Sequence, residues 1–401
     1  MKNMQKINPF FLFGISLFVV VILYSLHYSL LYPSLSVSMA FFLSIVLVLS
    51  FISNIMWRDF CLYLNNCSDS QKQIHLDNKS KSLTIISLVG TLVEGIYSRG
   101  FPLLGHYSEG SSYGIPVVHV TLTVYISFLI SLIFYFQVKK GFIKQRNILI
   151  MLNFFCLMLT LARSVLVVSL LNCLWIYLFS KKKIKIQKQT IIITIIGMYV
   201  FGLLGNYRSN MQQETRQNSI FNSDFVYYVG SAKENVRDKP LLGPLFWDYL
   251  YVTSPLANFQ NIVNQKKVTT EKVSVSDIMS QFVSNAFIKE DNDPKTENIQ
   301  QYQINSALTV GTIFFSNYNL SGWLGVWTML IYMLIFPFFY ILLIKLLAPA
   351  FMDIAISILD TLYVLNLFDN MFSFTTTSLL LLMPLFFRFI DSITLKKIRF
   401  I

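Results

Sequence analysis

Charge is scarce in this chain, and acid is scarcer than base. Only 13% of the 401 residues are charged and Asp plus Glu number 20, while 54% are hydrophobic. A soluble domain carries about 25% charge, so this composition excludes an ordinary soluble fold and predicts a polytopic membrane protein. Cysteine is equally sparse. Cys61, Cys67, Cys156 and Cys173 are the only four, none of them in the long polar segment after residue 208, which excludes a disulfide framework there. No metal-ligand spacing, phosphate-binding loop, paired-Asp motif or Gly-rich nucleotide fingerprint occurs. We therefore expect no metal, no cofactor and no chemistry that consumes ATP or a nucleotide sugar.

What charge there is leans positive, at +12. About twenty of the 32 Lys and Arg residues lie in short segments beside apolar runs. That is the orientation signature of a membrane protein rather than a nucleic-acid footprint, so no nucleic-acid partner is expected. With basic loops placed in the cytoplasm, spans are predicted at 9–28, 36–56, 83–97, 117–136, two within 147–179, then 190–204, 323–346, 352–367 and 379–390. The fold class is all-α, with about ten transmembrane helices, both termini cytoplasmic and one large external (periplasmic) loop. Three regions follow: helices over 1–206, the loop over 207–320, and helices with a cytoplasmic tail over 321–401. The segment 57–82 reads as a polar cytoplasmic loop.

The run 147–179 has basic flanks on both sides, so it reads as a hairpin turning at Ala162-Arg163-Ser164. Each arm of roughly 16 residues rises about 24 Å, short of the ~30 Å hydrocarbon thickness. Arg163 is thus expected below the outer membrane surface, buried among helices. There it requires either a carboxylate, such as Glu94 or Asp369, or an anionic ligand. Asp353 and Asp360, seven residues apart, share one helix face.

Helix breakers are few overall, yet five glycines and two prolines fall between Glu94 and His119. That stretch cannot be one helix. It also carries Arg99, His106 and Glu109. In the loop region, 245–259 predicts helix on either side of a break at Pro255, and Ser276 is placed to cap a helix through Ile288. Topology gathers Glu94, Arg99, His106, His119, Arg163, Arg208, Arg216 and Asp369 on the external face. Arginines at that depth suit diphosphates. A His or Glu beside them can take a proton from a hydroxyl. Trp247, Tyr249 and Tyr251 offer apolar faces to sugar rings.

The segments Gly100-Phe-Pro-Leu-Leu and Tyr113-Gly-Ile-Pro-Val-Val-His119 resemble the Wzy-type O-antigen polymerases (oligosaccharide repeat-unit polymerases). So do Arg163-Ser164, Gly205-Asn-Tyr-Arg208, Thr253-Ser-Pro-Leu-Ala-Asn258 and the large late loop. Some members of that family carry Gly eleven residues after a loop Arg; after Arg208, Arg216 and Arg237 this chain has Ser219, Tyr227 and Asp248. The resemblance implies a glycosyltransferase-C-like enzyme of the bacterial cytoplasmic membrane. Such an enzyme moves the growing glycan from undecaprenyl diphosphate to a new lipid-linked repeat unit, with a chain-length regulator protein as partner. It implies diphosphate contacts at Arg163, Arg208 and Arg216, Arg99 on the second headgroup or acceptor, and His119 or Glu94 as base. A lipid-linked oligosaccharide flippase and an O-antigen ligase are the competing expectations.

Overall fold

A computed structural model describes residues 7–66, 74–104, 113–181, most of 196–206 (all but 198, 201 and 204), 223–239, 243–266, 279–283 and 297–399. Among the described residues the chain is helical, and the one β-type pairing is an isolated bridge between Ser29 and Ala232. The first half of the chain forms α1 (Pro9–Ser25), α2 (Val37–Asn66), α3 (Ser80–Tyr97), α4 (Val118–Lys140), α5 (Lys144–Leu159) and α6 (Arg163–Ser180). The loop region contributes α7 (Asp224–Val229), α8 (Glu234–Arg237) and α9 (Gly243–Gln265). The chain closes with α10 (Ile313–Leu347), α11 (Met352–Leu365) and α12 (Thr375–Arg399). Among the described residues five helices are long and apolar enough to cross a membrane: Val37–Leu64, Val118–Lys140, Arg163–Ser180, Ile313–Leu347 and Thr375–Ile393. Their outward faces are lined with large apolar side chains such as Phe41, Phe51, Leu170, Phe339 and Phe389, which water would not tolerate as one continuous belt. The molecule is an all-α membrane protein.

α4 and α11 form its middle. α4 packs against α3, α5, α6 and α12; α11 packs against α1, α6, α10 and α12. Helices approach closely where side chains are small. Gly90 lets α3 sit on Leu122 of α4, and Gly14 lets α1 meet Ser50 of α2. The charged helix ends collect at one end of the bundle. Asp77, before α3, accepts two hydrogen bonds from Arg146, from Nε at 3.1 Å and Nη2 at 2.8 Å, and one from Lys140 at 3.0 Å. Burial opposes the charge of Asp77, but Arg146 and Lys140 outweigh it and hold the carboxyl below its usual range. Lys139 pairs with Asp353 at 2.9 Å, tying the end of α4 to the start of α11. Lys345 donates to the Leu64 carbonyl, and Asp391 accepts the His75 amide at 2.9 Å. Arg146 is 9% exposed and also donates to the Gly141 and Phe136 carbonyls, so it clasps α3, α4 and α5 together. Arg146→Ala strands these acceptors, and we expect it to lower unfolding free energy by about 2–4 kcal/mol, read by thermal denaturation of the detergent-purified protein.

Three expectations are corrected. Residues 57–66 are not loop but the last turns of α2. Trp57, Cys61 and Leu64 recur at helical spacing and are buried, while Arg58 and Asp59 lie on other faces. Pro255 does not break α9, which runs unbroken from Gly243 to Gln265. The single backbone bond that Pro255 removes is offset by packing, since Leu250, Leu256, Ala257, Phe259 and Ile262 are all fully buried. Residues 313–320, expected within the loop region, are helical. They lead α10 into a kink at Ser321–Gly322, where Gly322 has φ +61°, and the expected span over 323–346 follows the kink. Lys266 donates to the Asn319 carbonyl that an unbroken helix would offer to residue 323, and to Asn319 Oδ1 at 2.7 Å. The expected span 190–204 and the helix capped by Ser276 lie largely outside the described residues.

The loop region is fastened to the bundle at the end opposite the ion pairs. Leu30 N donates to Ser231 O at 2.9 Å, Lys233 N to Tyr28 O at 3.0 Å, and Ser29 Oγ to Gly230 O at 2.6 Å. Asn258 in α9 donates to the Leu308 and Val310 carbonyls and accepts from Ile304 N, so it folds 304–310 onto the helix. Thr253 and Gln260 bond to Tyr32 and Ser36 after α1. The stretch 253–258, singled out by resemblance, is scaffold.

Candidate functional site

The turn between α5 and α6 places Arg163. Leu161 takes a left-handed conformation, φ +50°, and reverses the chain. Arg163 is then the first residue of α6, whose N-cap Ala162 supplies no side-chain hydrogen bond. Its side chain leaves the helix end instead of entering the helix interface. Arg163 is exposed, which corrects the expectation of burial, and among the described residues no carboxylate lies within ion-pair distance of it. Glu94 is occupied by His119, and Asp369 accepts the Asn370 amide at 2.7 Å.

Arg163 and Ser164 border a cavity of about 850 Å³. Its walls are mostly apolar: Val165 and Val168 of α6, Val124 of α4, Leu380 of α12, and Phe368, Met371 and Phe374 of the turn between α11 and α12. Trp247 and Tyr251, one helical turn apart on α9, close it from the loop region. Gly205 is required behind Trp247, because a Cβ there would lie 2.2 Å from the indole nitrogen. The rim at 366–374 is held by side-chain amides. Asn366 Oδ1 accepts Met371 N at 3.0 Å, Asn366 O accepts Ile313 N at 2.9 Å, and Asn370 Nδ2 donates to Gln281 O at 2.7 Å. Burial pushes the Asp369 carboxyl in this rim up to about 6, against the pull of the Asn370 amide. An uncompensated guanidinium, the positive end of a helix and an apolar hollow together suit an amphipathic anion.

The Glu94–His119 pair lies on another side of α4. His119 Nδ1 is 2.9 Å from Glu94 Oε2; Glu94 is fully buried and the imidazole is one quarter exposed. Gly114, at φ +82°, passes so close to His119 that a Cβ would clash with it, and its amide donates to Ser98 Oγ at 2.9 Å. Tyr113 meets the imidazole edge-on at 5.4 Å. Burial, then the Glu94 carboxylate, pushes the Tyr113 phenol up to about 12. Neither Glu94 nor His119 borders the Arg163 cavity. Arg99 is exposed at the end of α3 in a left-handed turn, φ +58°, and is also absent from the cavity walls.

The aromatic trio divides. Trp247 and Tyr251 face the cavity; Tyr249 turns away into a stack with Tyr32 and Phe246, and its hydroxyl accepts the Tyr28 amide. Tyr249 is 7% exposed and is placed to pack the loop region onto the end of α1. His106, Glu109, Arg208 and Arg216 lie outside the described residues. The rim aromatics at 368–374 were missed as cavity walls. The signal available was the pair Asn366 and Asn370 in an apolar setting, since buried amides one turn apart mark a built turn. Comparison with protein-family models, with curated proteins and with solved structures found no match for this chain.

Proposed function

We propose that this chain is an oligosaccharide repeat-unit polymerase acting on the outer side of a bacterial cytoplasmic membrane. The observation that carries the reading is Arg163: a cation with no carboxylate partner among the described residues, at the start of a long helix, on the wall of a large apolar cavity that also presents Trp247 and Tyr251. A lipid-linked diphosphate sugar has the matching parts, with two phosphates, an isoprenoid chain and sugar rings. The positive-inside rule supports the orientation, because the ion-paired end carrying Lys139, Lys140, Arg146 and Lys345 then faces the cytoplasm and the cavity faces out.

In this reading Arg163 binds the donor diphosphate, with Arg208 and Arg216 following on from residue 206 in sequence. The acceptor hydroxyl oxygen attacks the anomeric carbon. The bond to the diphosphate breaks, its electrons leave with undecaprenyl diphosphate, and the hydroxyl proton passes to the His119 imidazole. Glu94 holds Nδ1–H, so that Nε2 carries the lone pair. The pair sits toward α3 and the cavity toward α6, so the acceptor is expected to arrive over the N-terminal end of α4, between them. Arg99 is left for the acceptor's own headgroup.

Deletion of the gene tests the reading. A polymerase defect leaves one repeat unit on the cell surface. No exported repeat unit would assign the chain to a flippase, and loss of all attached glycan to a ligase.

A further inference from the structure

α9 separates two cavities. Trp247 and Tyr251 face the first. On another face of the same helix, Leu245, Asp248 and Val252 border a second hollow of about 290 Å³, closed by Leu23 and Tyr28 at the end of α1 and by Val236 of α8. Among the described residues Asp248 is the one charged side chain bordering it. It is 7% exposed, and neither of its carboxylate oxygens has a hydrogen-bond partner among the described residues. The neighbouring hydroxyl of Tyr249 is engaged with the Tyr28 amide at 3.2 Å. Arg237 and Lys239, either side of Asp238, are exposed and make no ion pair with Asp248.

A buried carboxylate without a donor is costly. Burial pushes the Asp248 carboxyl up to about 6, and a cation bound beside it would favour its charged form. We infer that this pocket binds a primary ammonium group carried on a compact apolar stem, with Asp248 as its counter-ion. An ammonium brings three donors and a full charge to two bare acceptor oxygens, while Leu23, Leu245 and Val252 cover the stem. A divalent metal would need several more ligands, and no such cluster exists among the described residues. A neutral sugar would bring several hydroxyls into a hollow whose walls are mostly apolar side chains. Nothing in this site depends on the proposed polymerisation.

The test uses the full chain in non-ionic detergent at neutral pH and constant ionic strength, with n-butylammonium chloride as probe and 1-butanol as its uncharged counterpart. Butylammonium should raise the unfolding temperature saturably, and butanol should not. Asp248→Asn removes a bare charge, so it should fold at least as well as the natural chain and lose affinity roughly tenfold or more. Val252→Trp should fill the hollow and abolish the shift. Arg163→Ala should bind the probe normally, which separates this site from the first cavity. Equal shifts with butanol, or an undiminished ammonium shift in Asp248→Asn, would overturn the assignment. Ammonium groups reach such a surface on ethanolamine lipids, and competition by phosphatidylethanolamine over phosphatidylcholine nanodiscs identifies that source; a shift by butylammonium without that competition assigns a small free amine.

Discussion

Arg163→Ala should leave cells with single surface repeat units and lower polymerisation by purified protein roughly 10²–10³-fold, the usual effect of removing one preorganised group that stabilises developing charge. The loss should be in turnover rather than in folding. Arg163 is exposed and makes no ion pair among the described residues, so its removal should change stability by no more than about 0.5 kcal/mol. Arg163→Lys keeps the charge but not the planar two-donor fork, and should fall between the two. Reconstitution with lipid-linked repeat units, with polymer length read on gels, makes the comparison. Polymer of undiminished length from Arg163→Ala would remove this residue from the mechanism.

His119→Ala is expected to act in the opposite order, on stability first. It would leave Glu94 fully buried with both oxygens bare among the described residues, because Oε1 already has no partner there. Breaking a buried pair from one side costs about 3–5 kcal/mol. The double variant Glu94→Gln, His119→Ala removes the stranded charge and should recover most of that stability. Activity separates the roles. If His119 takes the hydroxyl proton, the double variant stays about 10²–10⁴-fold slow although it folds. Recovery of both stability and polymerisation would make the pair a structural clasp between α3 and α4.

The sequence was most legible where a single physical rule governs. Basic flanks on both sides of 147–179 required a hairpin, and α5 and α6 are that hairpin, turning at 160–162. The five glycines and two prolines of 94–119 required a break, and the break carries Glu94 to His119. Legibility failed where side-chain direction mattered. Arm length alone put Arg163 between helices, but a helix-initiating residue after a left-handed turn points off the end. Trp247, Tyr249 and Tyr251 look equivalent as a list of rings. The 100° step of a helix sends the middle one to another face, where it packs on Tyr32. Pro255 looked like a break because sequence does not show the buried packing that holds α9 through it. The α11–α12 rim was read only as a short turn, because its cavity wall is assembled from contacts with distant residues, such as Gln281 and Ile313.

The proposed glycan transfer depends on an anion-ready cavity at the Arg163 end of α6. The most direct measurement is binding of undecaprenyl diphosphate to the purified chain, compared between the natural protein and Arg163→Ala at several salt concentrations. Retention by the natural protein, with affinity at least roughly tenfold weaker in the variant, is the predicted result. Equal binding by the two proteins would contradict it.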